Sequence, residues 1–121
     1  MIKVGSTATI EFVVDEASTA IALGSGDVPV LGTPKVVALM EEASVAAIGN
    51  QLPKRLTTVG TEVSVLHIAP SKVGATVVAR AEVFDVIDGE IIISVEVTEG
   101  DTRVADGEHV RVVVDRARFM A

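Results

Sequence analysis

The chain has 121 residues, no cysteine, and 17 acidic against 10 basic side chains, for a formal net charge of −7. One domain spanning residues 1–121 fits that length; the lack of cysteine excludes disulfides and thiolate chemistry, and the charge excludes the basic stripe of a nucleic-acid binder. No apolar run approaches the ~18 residues that cross a membrane, and with three Phe and no Trp or Tyr there is no aromatic stacking platform.

Residues 6–14, STATIEFVV, alternate and then become continuously apolar, which predicts a first strand. MIKVGSTATIEF enters this pattern without a signal peptide's apolar block, so a cytoplasmic location is expected. Residues 15–32 hold no period, and GSGDVPVLG at 24–32 reads as a loop, either a plain connector or the border of a pocket.

The stretch from Val30 to Gly49 predicts a helix. Thr33 can cap its first turn, Pro34 suits its start, and Gly49-Asn50 supplies its stop. Val36, Val37, Leu39, Met40, Ala43, Val45, Ala46, Ala47 and Ile48 surround its axis, as in a buried helix. Glu41 and Glu42 conflict with that burial, because an unpaired buried carboxylate is costly. The two lie ~100° apart around the axis. Glu41 shares its side with Pro34, Val37, Val45 and Ile48 and is the candidate for the buried role. Glu42 can pair with Lys35 in solvent. Apolar residues make up 49% of this small chain, an excess that predicts an oligomer interface.

The remainder reads as strands. In 57–68, Val59, Thr61, Val63, Val65 and His67 share one face. Residues 75–87 form a strand closed by the tight-hairpin pair Asp88-Gly89, followed by 90–98 and 102–115, where Gly107 marks a bulge or bend. The fold class is α+β: a curved antiparallel sheet of about five strands wrapped around one long central helix.

His67 points toward the layer that receives the helix carboxylates, either as half of an acid–base pair or as a satisfied core histidine. Thr33 and Glu41 are separated by ~12 Å of helix rise, so they can meet only around a substrate or across two subunits. Gly60 either marks a bulge or lets a ligand approach the backbone, whose amide could polarise a carbonyl. His109 ranks below His67 on a polar face, and Arg80, Arg111, Arg116 and Arg118 read as surface charges. Some of these, or Lys54 and Arg55, could hold phosphates. No phosphate-cradling loop, metal-ligand cluster or serine elbow is present.

VLGTPKVVALMEEAS, TTVGTEVSVLHIAPSKVGATV and GEHVRVVVDRARF together resemble the hotdog-fold thioesterases, in the subgroup of fluoroacetyl-CoA thioesterase, over Val4 to Phe119. The resemblance places the family's catalytic threonine, glutamate and histidine on Thr33, Glu41 and His67, and its carbonyl-facing, substrate-binding glycine on Gly60. It implies a hydrolase acting on a short or small acyl-CoA, with coenzyme A as part of the substrate and no separate cofactor. It also implies a homodimer joined edge to edge, in some members paired again into a tetramer, with sites at the dimer interface. A non-catalytic acyl-CoA or small-ligand binding module on the same fold is the alternative, and it has no need of a matched Glu41 and His67. The fluoroacetyl members cover the acyl pocket with aromatics before the helix, whereas here no aromatic lies between Phe12 and Phe84. The resemblance therefore implies thioester hydrolysis without fixing the acyl chain.

Overall fold

The computed structural model describes residues 1–121. Five strands, β1 (Thr7–Val13), β2 (Leu56–His67), β3 (Thr76–Ile87), β4 (Glu90–Glu99) and β5 (Thr102–Asp115), form one antiparallel sheet in the order β1-β3-β4-β5-β2. The β3–β4 hairpin is set by its two-residue loop, since Asp88 and Gly89 both take positive φ (51° and 81°), as a twist-matched tight turn requires. β2, the last strand in the order, leaves one edge of the sheet unpaired.

The helix α2 (Thr33–Ile48) lies across one face of this sheet, chiefly against β1 and β3. Its buried residues Val36, Leu39, Met40, Ala43, Ala47 and Ile48 meet Val77, Ala79, Ala81 and Val83 of β3 and Ile91, Ile93, Val95 and Val97 of β4. The two alanines of β3 leave room for the helix, while the valines and isoleucines around them fill the flanks. Gly49 ends the helix with φ 57°. The predicted full burial of α2 is corrected on one side: Ala38, Ala46 and Val45 (50% exposed) are open, and Glu42 is exposed with them. Lys35 does not pair with Glu42; its Nζ sits 4.4 Å from the centre of the Phe12 ring. No helix is long and apolar enough to cross a membrane.

The segment before α2 is more ordered than its composition predicts. A capped 3-10 turn at Glu16–Ser18 and a one-turn helix α1 (Ala20–Leu23) are stitched to the helix start by Ala20 N to Val30 O (2.8 Å) and Gly32 N to Ser18 O (2.9 Å). Leu31 N then donates to Ser71 O (2.8 Å), which ties the entry of α2 to the chain just beyond β2. Through this tie Thr33 and His67, 34 residues apart in sequence, become neighbours.

Gly107 is in register with both Val95 and Val65, so it marks no bulge. A Cβ there would overlap the Ser64 carbonyl oxygen of β2, a backbone atom that cannot step aside. Gly107→Ala should therefore cost about 3 kcal/mol or more in urea unfolding. Gly26→Ala should stay within about 0.5 kcal/mol, because its new Cβ would meet only Ala20 Cβ at 3.5 Å.

Candidate active site

Two clusters lie along β2, one toward each end. The first is Thr33 with His67. Thr33 does not cap α2: the N-cap is Gly32, which has no side-chain cap bond, and Thr33 is the first helical residue. Its hydroxyl is freed for His67, with Oγ1 2.8 Å from Nδ1. His67 Nε2 is buried without a hydrogen-bond partner. Burial lowers the imidazole pKa from 6.5, against a smaller opposing effect of the Ala69 backbone. His67 is thus predominantly neutral at pH 7, with a hydroxyl on one nitrogen and an unused second nitrogen.

The second cluster is built on Arg111, which the sequence pattern assigned to the surface but which is only 7% exposed. Its Nε donates to Thr58 Oγ1 (2.9 Å) and its Nη2 to the Thr58 carbonyl (3.0 Å). Nη1 donates to His109 Nε2 at 3.1 Å and to Glu41 Oε2 at 3.4 Å. His109, fully buried, holds its other nitrogen 2.8 Å from the Glu62 carbonyl. A carbonyl only accepts, so Nδ1 carries the proton and Nε2 offers its lone pair to Arg111. Burial lowers the His109 pKa first, and the Arg111 charge adds to it against the pull of the Glu62 carbonyl and Glu41. His109 is therefore a neutral spacer that fixes the guanidinium beside the carboxylate. Burial also lowers the Arg111 pKa, while Glu41 opposes that shift.

Glu41 is not fully buried as predicted: its side chain is 42% exposed, with Oε2 toward Arg111 and 3.8 Å from His109 Nε2. The structure brings Glu41 to Arg111 and Gly60, and His67 to Thr33; it makes no Glu41–His67 contact within the chain. Gly60 explains how the carboxylate fits. The β2–β5 register slips between Gly60 and Glu62, leaving Thr61 as the extra residue. Gly60 then faces Arg111 in place of Thr61, and the single-face reading of β2 holds only for Val63, Val65 and His67. A Cβ on Gly60 would lie 2.8 Å from Glu41 Oε2 and 2.9 Å from His109 Cε1. The largest cavity, about 590 Å³, involves neither cluster; it lies among outward-facing residues such as Ser64, Arg80, Ser94 and Arg103.

The family model of the fluoroacetyl-CoA-specific thioesterase FlK matches residues 14–117. The chain belongs to this family. A solved FlK structure is similar at TM-score 0.91 and 29% identity, covering 99% of this chain and 93% of that one. A point variant of FlK in complex with fluoroacetate and CoA matches at TM-score 0.88 and 30% identity, over 97% and 98% of the two chains. A thioesterase superfamily member from Thermus thermophilus, 23% identical, shares the fold at TM-score 0.91 over 99% and 89%. No functionally curated protein matches the chain. The fold is the hotdog, and the protein is a thioesterase, a hydrolase of thioesters.

In this thioesterase the residues missed from sequence are His109 and Arg111. They alternate on β5 with Val110, Val112 and Val114, and that apolar set competes with them for the inward face. The only available signal was their cross-strand register, His109 opposite Val63 and Arg111 opposite Gly60, which requires the bulge to be known.

Gly60→Ala should displace the Glu41 carboxylate, the more movable of its two close neighbours, and lower kcat/KM on the order of 10²-fold. The melting temperature should fall by only a few degrees, and melts run beside the kinetics separate the two effects. Both histidine pKa values are lowered in the folded state, so between those values and 6.5 the unfolded chain binds more protons. Stability should therefore decline as pH falls through and below 6.5. His109→Gln, which can still accept from Arg111, should flatten that decline in thermal melts from pH 7.5 to 5.5.

Proposed function

We propose that this thioesterase hydrolyses a small acyl-CoA to the free acid and coenzyme A, in a homodimer. The observation that carries this reading is the Glu41 carboxylate, partly open to solvent, fixed by Arg111 and set against the bare backbone of Gly60. A thioester carbonyl seated there meets a carboxylate on one side and a peptide with no side chain on the other. Glu41 acts either as base, taking a proton from the water that attacks the carbonyl, or as nucleophile, forming a mixed anhydride that water then cleaves. By either route the C–S bond breaks and the leaving thiolate takes up the proton released from water. The Gly60 amide stabilises the oxyanion, and Arg111 holds the Glu41 carboxylate in place. His67, neutral and bonded to Thr33, supplies the second proton-handling group.

A second copy would bring the clusters together. β2 offers an unpaired edge, and an edge strand invites pairing. Antiparallel pairing of two β2 strands about their middle draws the Gly60 end of one toward the partner's His67. The exposed Val45, Ala38 and Ala46 of α2 give such a dimer apolar surface to bury. FlK structures with fluoroacetate and CoA, and with acetyl-CoA, support a small acyl group. The segment before α2 holds no aromatic, which favours an unfluorinated small acyl chain over strict fluoroacetyl selectivity.

Thiol release from acetyl-, propionyl-, fluoroacetyl-, phenylacetyl- and a long-chain acyl-CoA tests the reading. The wild type should turn over one or more of the small substrates. Glu41→Ala and His67→Ala should each lose on the order of 10²-fold or more while remaining folded. If each site takes Glu41 and His67 from different subunits, mixing the two inactive variants should restore part of the activity. Binding of acyl-CoA without turnover would favour the non-catalytic module instead.

A further inference from the structure

The notch between the C-terminal half of α2 and the start of β2 is a groove of about 300 Å³. Its upper end is Val45, one turn below Glu41, and Thr58, which holds Arg111. Its floor is apolar at Ile48, Leu52 and Leu56, and its lower end is formed by Lys54 and Arg116. We propose that this groove takes the arm of the thiol carrier and that Lys54 and Arg116 clamp its phosphates. The proposal rests on the acyl-CoA reading above and names the cations of that same site.

Three observations carry it. First, charge: on a chain of net charge −7, four of the ten basic residues, Lys54, Arg55, Arg116 and Arg118, fall in two short runs. The structure joins these runs, with Arg116 N bonded to the Arg55 carbonyl and Arg116 Nε to the Lys54 carbonyl (2.9 and 2.8 Å). A polyanionic substrate is repelled by most of this surface and drawn to this corner. Second, availability: Asp115 takes Arg55 at 3.7 Å, whereas Lys54 has no acidic partner and Arg116 commits only Nε to the chain. Third, continuity: the groove begins at Val45, one helical turn (~6 Å of rise) from Glu41, and extends past the helix end to Lys54 and Arg116, the direction in which an extended arm would leave the carboxylate. The helix C-terminus at the groove would oppose an anion, but three of its last four carbonyls are engaged. Gln51 Nε2 donates to Ala47 O and Ile48 O (3.3 and 2.9 Å), and Gly49 N donates to Val45 O.

The test compares full-length wild type with the double variant Lys54→Gln/Arg116→Gln. Binding of free coenzyme A is read by calorimetry, and kcat/KM is measured for an acyl-CoA and for the same acyl group on pantetheine, which lacks the phosphates. The expected result is coenzyme A binding weakened about tenfold or more, with the acyl-CoA over acyl-pantetheine preference falling in proportion. Arg80→Gln/Arg103→Gln, on the outer face of the sheet, removes the same charge and should leave both quantities near wild type. Equal binding by wild type and the 54/116 variant overturns the clamp alone, as does an equal loss in the outer-face control. A wild type that neither binds coenzyme A nor hydrolyses its thioesters overturns the acyl-CoA reading and the clamp with it.

Discussion

Arg111 is a permanent charge only 7% exposed, paired across the sheet with Ile91 and Gly60, and a buried guanidinium is tolerated only when its donors are met. Thr58 takes two of its bonds through hydroxyl and carbonyl, His109 takes one on a lone pair, and Glu41 supplies the counter-charge. These partners come from β2, β5 and α2, so satisfying one side chain fixes three elements against one another. The arrangement also requires His109 to be neutral and protonated on Nδ1, and the Glu62 carbonyl enforces that. An imidazolium there would present a second cation to Arg111 and lose its acceptor.

The bulge after Gly60 is what lets this network form. Without the extra residue, a side chain from β2 would occupy the space that the Glu41 carboxylate uses. The bulge therefore does two things at once: it aims Thr58 at Arg111, and it leaves a bare peptide beside a fixed carboxylate. At the far end of β2, the tie between Leu31 and Ser71 performs a comparable service, seating the first residue of α2 on His67. One strand thus carries half of each cluster at opposite ends, which is why pairing of two such strands is an economical way to assemble a complete site.

The acidic balance of the chain acquires meaning in the same frame. Acidic side chains outnumber basic ones 17 to 10, yet four of the ten basic ones gather in the joined 54–55 and 116–118 runs, and Lys54 and Arg116 line the groove that begins one turn from Glu41. A field of this shape orients an anionic substrate before contact.

Much of the fold was legible in the sequence because local chemistry decides it. The helix start and stop, the Asp88-Gly89 hairpin and the strand periods arise from backbone preferences and burial patterns within a few residues. Thr33, Glu41, His67 and Gly60 stood out because a hydroxyl, a carboxylate, an imidazole and a missing side chain interrupt otherwise apolar patterns, and the family resemblance gave them expected roles. The tertiary structure decided which of them touch. It turned Thr33 from a cap into the partner of His67, because residues 31 and 71 bond across a long sequence separation. It moved Arg111 and His109 inward, because one bulge residue on β2 changes which side chains share a face, and an alternating pattern cannot report a register set by a neighbouring strand.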